Sequence, residues 1–314
     1  MKNWHILKRV LLPVDESKHS KKAVTFAGRF LKNFSEDLSE ITLLHVVRLS
    51  YLSTHMKIDL RAEFIKESEM FKKLKAQFLE EKIKPFLNQY EKILRKSGIE
   101  TEINQKIEEG DPGNEIIEIL SKEDYSTVML SRRGMSKIRS LVLGSVPTKL
   151  LYHLKKEDIY FIGKKFSKDS INPISSILIP VDGSEYSKRA VEHAVYIAKK
   201  VKDIKKIKIL KVIDVDFYYK RIDQGIDPEK EAEEIIAEAR KKIIEESIPE
   251  ELVLTQISRG IPAQEIIKDV RENQYDLVII GRKGRSHLKD LVIGGVSSAV
   301  IYHCQEPTIV VINF

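Results

Sequence analysis

Residues 11–24 read LLPVDESKHSKKAV and residues 178–191 read LIPVDGSEYSKRAV, an ungapped match with nine identities in fourteen positions. A second pair, SRRGMSKIRSLVLGSVPTKLLYH at 131–153 and GRKGRSHLKDLVIGGVSSAVIYH at 281–303, has nine identities in twenty-three. Two matches in the same order identify a tandem duplication. The offset falls from 167 residues at the first pair to 150 at the second, so the first copy carries 17 extra residues. They lie before Gly110, because Gly110-Asp-Pro already matches Gly260-Ile-Pro at the shorter offset.

Each copy alternates strand and helix patterns. Val10–Val14 and Ile177–Val181 are short apolar runs ending at an aspartate, as expected of strands buried on both faces. Ser17 and Ser184 then stand as N-caps of helices with apolar residues at three- and four-residue spacing, such as Ala23, Phe26, Ala27 and Phe30. Further strands are expected at 41–47, 100–107, 127–130 and 159–162, and at 207–213, 252–257, 277–280 and 308–312. Long helices fill 58–97 and 228–247, the first carrying an apolar stripe through Phe64, Phe71, Leu74 and Phe78. Gly110-Asp-Pro-Gly and Gly260-Ile-Pro-Ala turn the chain into helices 113–121 and 262–272, with proline in the first turn where its missing N–H costs least. This alternation predicts an α/β fold with a doubly wound parallel sheet in each copy. The domains are placed at 1–166 and 174–314, joined by a polar linker from Lys164 to Ser175.

Composition narrows the function classes. The 314 residues, 42% hydrophobic and 32% charged, exceed what one core serves, and they exclude disordered and collagenous chains. No apolar run reaches the roughly 18 residues of a membrane span, and Asp15 and Glu16 interrupt the place of a secretory leader. Together with a single cysteine, Cys304, this leads us to expect a cytoplasmic protein without membrane partners. The formal charge of +7 comes with interleaved Lys and Glu on amphipathic segments, which reads as solvated helix faces rather than a nucleic-acid surface.

In an open parallel sheet, ligands sit beyond the carboxyl ends of the strands, where the strand order reverses. Asp15 and Asp182 close the first strands there, and a glycine loop follows each fourth strand. The second loop runs Gly281, Gly284, Gly294, Gly295; the first has Ser131, Gly134, Gly144 and Ser145. Such a loop lets backbone N–H groups approach phosphate oxygens, and the helix behind it adds a positive dipole end. The Ser145 hydroxyl and the cations Arg132, Arg133, Arg282 and Lys283 would reinforce an anion site.

These motifs resemble the universal stress protein family, whose domains carry Pro-x-Asp-x-Ser at the first strand end and Gly-x-x-Gly, nine residues, Gly-Ser/Thr after the fourth. The resemblance covers nearly the whole chain, once per copy. It implies two Rossmann-like (adenine nucleotide alpha hydrolase-like) domains, each a five-stranded parallel sheet flanked by helices, packed as an internal pseudo-dimer. By resemblance to nucleotide-binding members, the cofactor is ATP, with or without Mg²⁺. Asp15 and Asp182 would contact adenosine, the backbone of Val46 and Val212 would meet adenine, and the glycine loops would wrap ribose and phosphates.

Both copies depart from the pattern: Ser131 stands at a glycine position and Gly295 at the hydroxyl position. If Ser131 needs a positive φ, its Cβ is costly and the second copy binds tighter; if it does not, the first copy should. The last strand of the first copy is also less apolar than EPTIVVINF, so the expected site lies in the second copy. Paired last strands would cover sheet edges within the chain; homodimerisation stays open.

No Walker or dinucleotide glycine motif and no H-E-x-x-H stands in the chain, so a signalling use of nucleotide is expected rather than rapid turnover. The alternative is a nucleotide-independent adaptor, with a weak ATPase third. His153 and His303 read as helix-end residues rather than metal ligands. Ser136, Ser140, Ser286, Ser297 and Ser298 are candidate modification sites beside the loops.

Overall fold

The computed structural model describes residues 6–48, 50, 68–134, 143–165, 172–284 and 293–313. Two compact units emerge: residues 1–138 with 144–150, and residues 139–143 with 151–314.

In the first unit, β1 (Arg9–Pro13), β2 (Glu40–Val47), β3 (Glu102–Glu109) and β4 (Thr127–Ser131) lie in the order β3-β2-β1-β4. All pairings are parallel, with Val10 beside Ile41 on one flank and Thr127 on the other. The order reverses at β1 and β4, between which the two repeated motifs meet. Helix α1 (Lys18–Leu31) begins where the serine predicts: Ser17 Oγ accepts the Ser20 N–H at 3.1 Å. Its inner stripe buries Phe26 and Phe30, whose rings lie 5.7 Å apart, each worth roughly 1.5–3 kcal/mol of apolar transfer.

The long helix expected over 58–97 is interrupted in its described part, while 58–67 lie outside the described residues. Helix α2 (Glu69–Phe78) passes into a π-helical stretch, Leu79–Ile83, before α3 (Lys84–Lys96). Pro85 has no N–H to offer the Glu81 carbonyl, and the turn widens so that Lys84 N–H donates to the Leu79 carbonyl, five residues back. Helix α4 (Pro112–Lys122) follows β3, and α5 (Ser145–His153) follows β4.

The second unit contains β5 (Asp158–Ile162), β6 (Ser176–Val181), β7 (Lys206–Asp214), β8 (Val253–Gly260), β9 (Leu277–Gly281) and β10 (Thr308–Ile312), ordered β5-β10-β9-β6-β7-β8. The five strands β6 to β10 are parallel, whereas β5 runs antiparallel to β10, with Val310 beside Tyr160. The apolar last strands of the two repeats thus pair edge to edge. Around the sheet lie α6 (Glu185–Lys200), α7 (Tyr218–Asp223), α8 (Pro228–Glu245), α9 (Pro262–Asn273) and α10 (Gly295–His303). The α2–α3 stretch spans 28 residues against 18 in α8, so part of the first copy's insertion lengthens this helix. Among the described residues no helix is long and apolar enough to cross a membrane.

Candidate nucleotide site

Asp15 and Asp182 share one anchor, the N–H two residues on, and differ at the serine hydroxyl that follows. Asp15 Oδ1 accepts the Ser17 N–H at 3.0 Å and the Ser20 hydroxyl at 2.7 Å. Asp182 Oδ1 accepts the Ser184 N–H at 2.9 Å, while Ser184 Oγ caps α6 through the Ser187 N–H at 3.2 Å. Each aspartate is fixed by the helix start that follows it, and its second oxygen faces the glycine loop. At Gly284 an added Cβ would stand 2.5 Å from Asp182 Oδ2, and at Gly134 it would stand closer still to Asp15 Oδ2. These glycines are therefore demanded by an aspartate.

The loop base is closed identically in both copies: Gly144 N–H donates to the Arg132 carbonyl at 2.8 Å and Gly294 N–H to the Arg282 carbonyl at 2.9 Å. Ser145 and Gly295 then open α5 and α10, whose first-turn N–H groups lack intrahelical partners. Gly295 faces open space, with nothing within 4 Å of a built Cβ.

Ser131 does not have a positive φ, so the backbone strain that would have favoured the second copy is absent and this criterion alone points to the first. Its hydroxyl donates to the Arg133 carbonyl. Gly281, its counterpart, is needed for a different reason. A Cβ there would lie 2.7 Å from Tyr186 Cβ and 2.9 Å from the Tyr186 carbonyl carbon, both on α6.

Beyond the carboxyl ends of β6, β7 and β9 lies a cavity of about 1010 Å³. Asp182, Val212, Gly281, Gly284, Gly294 and Gly295, drawn from three distant chain segments, all line it. Val46, the counterpart of Val212, is buried near the end of β2. Beside it His45 points Nδ1 at the Val14 carbonyl, 2.8 Å away, with the Phe86 ring edge-on at 4.9 Å. Burial pushes the His45 pKa down, against the opposing pull of the Val14 carbonyl and the Asp15 and Glu16 carboxylates.

The cations divide against expectation. Lys283 lines the cavity, and Arg133 is half-buried. Arg282 is only 2% exposed: its Nη1 donates to Asn313 Oδ1 at 3.0 Å and its Nη2 to the Leu151 carbonyl at 2.7 Å. The expectation that Arg282 sets a cation beside a phosphate is corrected, because the fold spends its side chain as an internal anchor. Arg132 is buried likewise. Ser297 is also no exposed loop serine: it is buried in α10 and donates to the Gly281 carbonyl at 2.7 Å. Ser136, Ser140 and Ser286 lie outside the described residues. His153 and His303 each end a helix.

Sequence reasoning missed α7. Phe217, Tyr218, Lys220, Arg221 and Gln224 form a wall of the cavity, and no residue of α7 is buried. The signal was the aromatic and basic run FYYKR between β7 and α8, outside the two matched blocks.

Fold and site together define a tandem α/β protein whose duplicated halves each set a strand-end aspartate against a glycine loop. The chain belongs to the universal stress protein family, whose profile matches residues 7–157 and again 173–311. A universal stress protein of Mycolicibacterium smegmatis is 26% identical over 315 residues, covering 96% of each chain. Universal stress protein MJ0577 of Methanocaldococcus jannaschii is 32% identical over 152 residues, 43% of this chain and 93% of that one. Among solved structures, a universal stress protein from Archaeoglobus fulgidus superposes with a TM-score of 0.65 at 23% identity, covering 98% of both chains, and it shares the fold.

Proposed function

We propose that this protein binds an adenine nucleotide, ATP foremost, in the cavity of the second repeat, and that occupancy serves as a conformational or partner-binding signal. One observation carries the reading: Asp182, Val212 and the four glycines of the 281–295 loop converge on one cavity of about 1010 Å³ at the strand ends where the sheet order reverses. In this reading Asp182 engages the ribose, Val212 offers backbone groups to adenine, and Gly284, Gly294 and Gly295 present N–H groups to phosphate. Lys283 supplies the cation, and Tyr218 of α7 covers the base. Any Mg²⁺ would be carried by the phosphates. Nucleotide released on denaturing freshly purified protein, identified by mass spectrometry, together with calorimetry using Mg-ATP, tests it. Nucleotide-free protein with no binding heat at millimolar Mg-ATP refutes it.

A nucleotide-independent adaptor is the second reading. It is favoured by the apolar surface at Val215, Phe217, Tyr219 and Ile222, all between 46% and 78% exposed beside the cavity.

A further inference from the structure

Arg282 ties together both ends of the second glycine loop. Its N–H donates to the Ile312 carbonyl at 3.0 Å, and its own carbonyl accepts the Gly294 N–H at 2.9 Å. Its guanidinium is then anchored away from the cavity on Asn313 Oδ1 and the Leu151 carbonyl. Asn313, fully buried, donates its N–H to Asp158 Oδ1 at 2.9 Å and its Nδ2 to the Glu157 carbonyl. The other Asp158 oxygen lies 3.3 Å from His193 Nδ1, and His193 Nε2 meets the Tyr160 hydroxyl at 2.5 Å. One buried chain of contacts, Arg282–Asn313–Asp158–His193–Tyr160, thus runs from the loop base to β5.

The duplication supplies an internal control. At the repeat offsets, His193 corresponds to Phe26, Asp158 to Thr308 and Asn313 to Gly163. The backbone bond survives there, with Gly163 N–H donating to Thr308 Oγ1 at 3.2 Å. A glycine, however, has no side-chain acceptor to offer Arg132. The Asn313, Asp158 and His193 side chains thus have no like counterparts at the matching positions of the other repeat.

We infer that Asn313, Asp158 and His193 are positioning residues for the anion site of the second repeat: they fix Arg282, and Arg282 fixes the loop whose N–H groups would face phosphate. This rests on the proposed reading of that loop. A satisfied buried polar network is rigid, and removing one member leaves its neighbours desolvated without partners. An anion held by several N–H groups depends on their placement to within a fraction of an ångström. The adenosine contacts come from Asp182 and Val212 and do not pass through Arg282. The strand β5, contributed by the first repeat, is therefore a working part of the second repeat's site.

The test uses the full chain. Asn313→Gly, which copies the first repeat, is expected to weaken Mg-ATP binding about five- to twentyfold in calorimetry and to leave adenosine binding within twofold. His193→Phe, which keeps both direct acceptors of Arg282 and copies Phe26 of the first repeat, is the second variant and gives the same pattern at about two- to fivefold. In unliganded protein, hydrogen exchange at the Arg282 and Gly294 amides rises in both variants. Equal losses for ATP and adenosine, or unchanged ATP affinity, overturn the inference. If wild-type protein binds no Mg-ATP, the nucleotide reading falls, while the amide exchange still decides the positioning role: unchanged exchange at Arg282 and Gly294 rejects it.

Discussion

Asp182 and Gly284 occupy each other's space: a Cβ on the glycine would stand 2.5 Å from the carboxylate Oδ2, while Oδ1 is pinned at 2.9 Å by the Ser184 N–H. The carboxylate cannot swing away without surrendering that bond and disturbing the start of α6. Two motifs about a hundred residues apart are thereby locked into one site.

Gly284→Val should accordingly lower Mg-ATP affinity at least tenfold, by displacing Asp182 and blocking the loop N–H groups. Gly134→Val, which disturbs Asp15 in the other copy, should leave that affinity within twofold. Calorimetry on the two full-length variants reads the difference, and equal losses would argue against a site confined to the second repeat.

Gly295→Ser should be tolerated, since nothing lies within 4 Å of the new Cβ, and stability should stay within about 0.5 kcal/mol. The hydroxyl, placed as Ser145 is in the first repeat, adds one phosphate contact worth about 0.5–1.5 kcal/mol. Mg-ATP affinity should rise about two- to twelvefold, with adenosine affinity unchanged.

Gly281→Ser copies the first repeat and should fail. The new Cβ meets Tyr186 backbone at 2.9 Å, so α6 must shift, at a cost of about 1–3 kcal/mol. Urea unfolding should show the loss, whereas Ser131→Gly should cost about 1 kcal/mol or less, the worth of its hydroxyl bond and backbone freedom.

Tyr218→Ala and Lys283→Ala separate base from phosphate. Loss of an aromatic contact of about 0.5–1.5 kcal/mol should weaken adenosine and Mg-ATP alike. Loss of the ammonium group should weaken Mg-ATP alone, and increasingly so at low salt. Parallel titrations with both ligands provide the check.

Asp276 ties Ser175 and Ser176 at the start of β6 and pairs with Lys165 at 3.1 Å. Burial opposes its charge, but the Ser175 hydroxyl and N–H and the Lys165 ammonium outweigh burial and hold its pKa below the usual carboxylate value. A depressed folded-state pKa means stability present above the unfolded value of about 3.9 and lost as pH falls through the folded value. Asp276→Asn should therefore lower the urea midpoint at pH 7 and lose that difference progressively below about pH 4.

The duplication, the alternation of strand and helix, the capping serines and the loop glycines were legible in residues 11–24 and 131–153, their repeats and the segments between, because periodicity, caps and turns depend on neighbours in sequence. Side-chain destinations were not. Arg282 reads as a loop cation, and only the register of β10 beside β9 brings Asn313 within reach, while the Leu151 carbonyl of α5 supplies the second acceptor that draws it inward. The π turn before Pro85 could be anticipated as a break, but not its form.

The sequence by itself determined that this is one α/β unit written twice, with an aspartate and a glycine loop aimed at each switch point. Tertiary structure decided why each glycine is there: Gly284 for a carboxylate, Gly281 for the approach of a helix, Gly295 for neither. It also decided that α7 walls the second cavity and that β5 anchors the second loop. The physical reason is range: burial, steric exclusion and hydrogen-bond partnership are set by segments distant in the chain, as far apart as Leu151 and Arg282, which meet only when the sheet has formed.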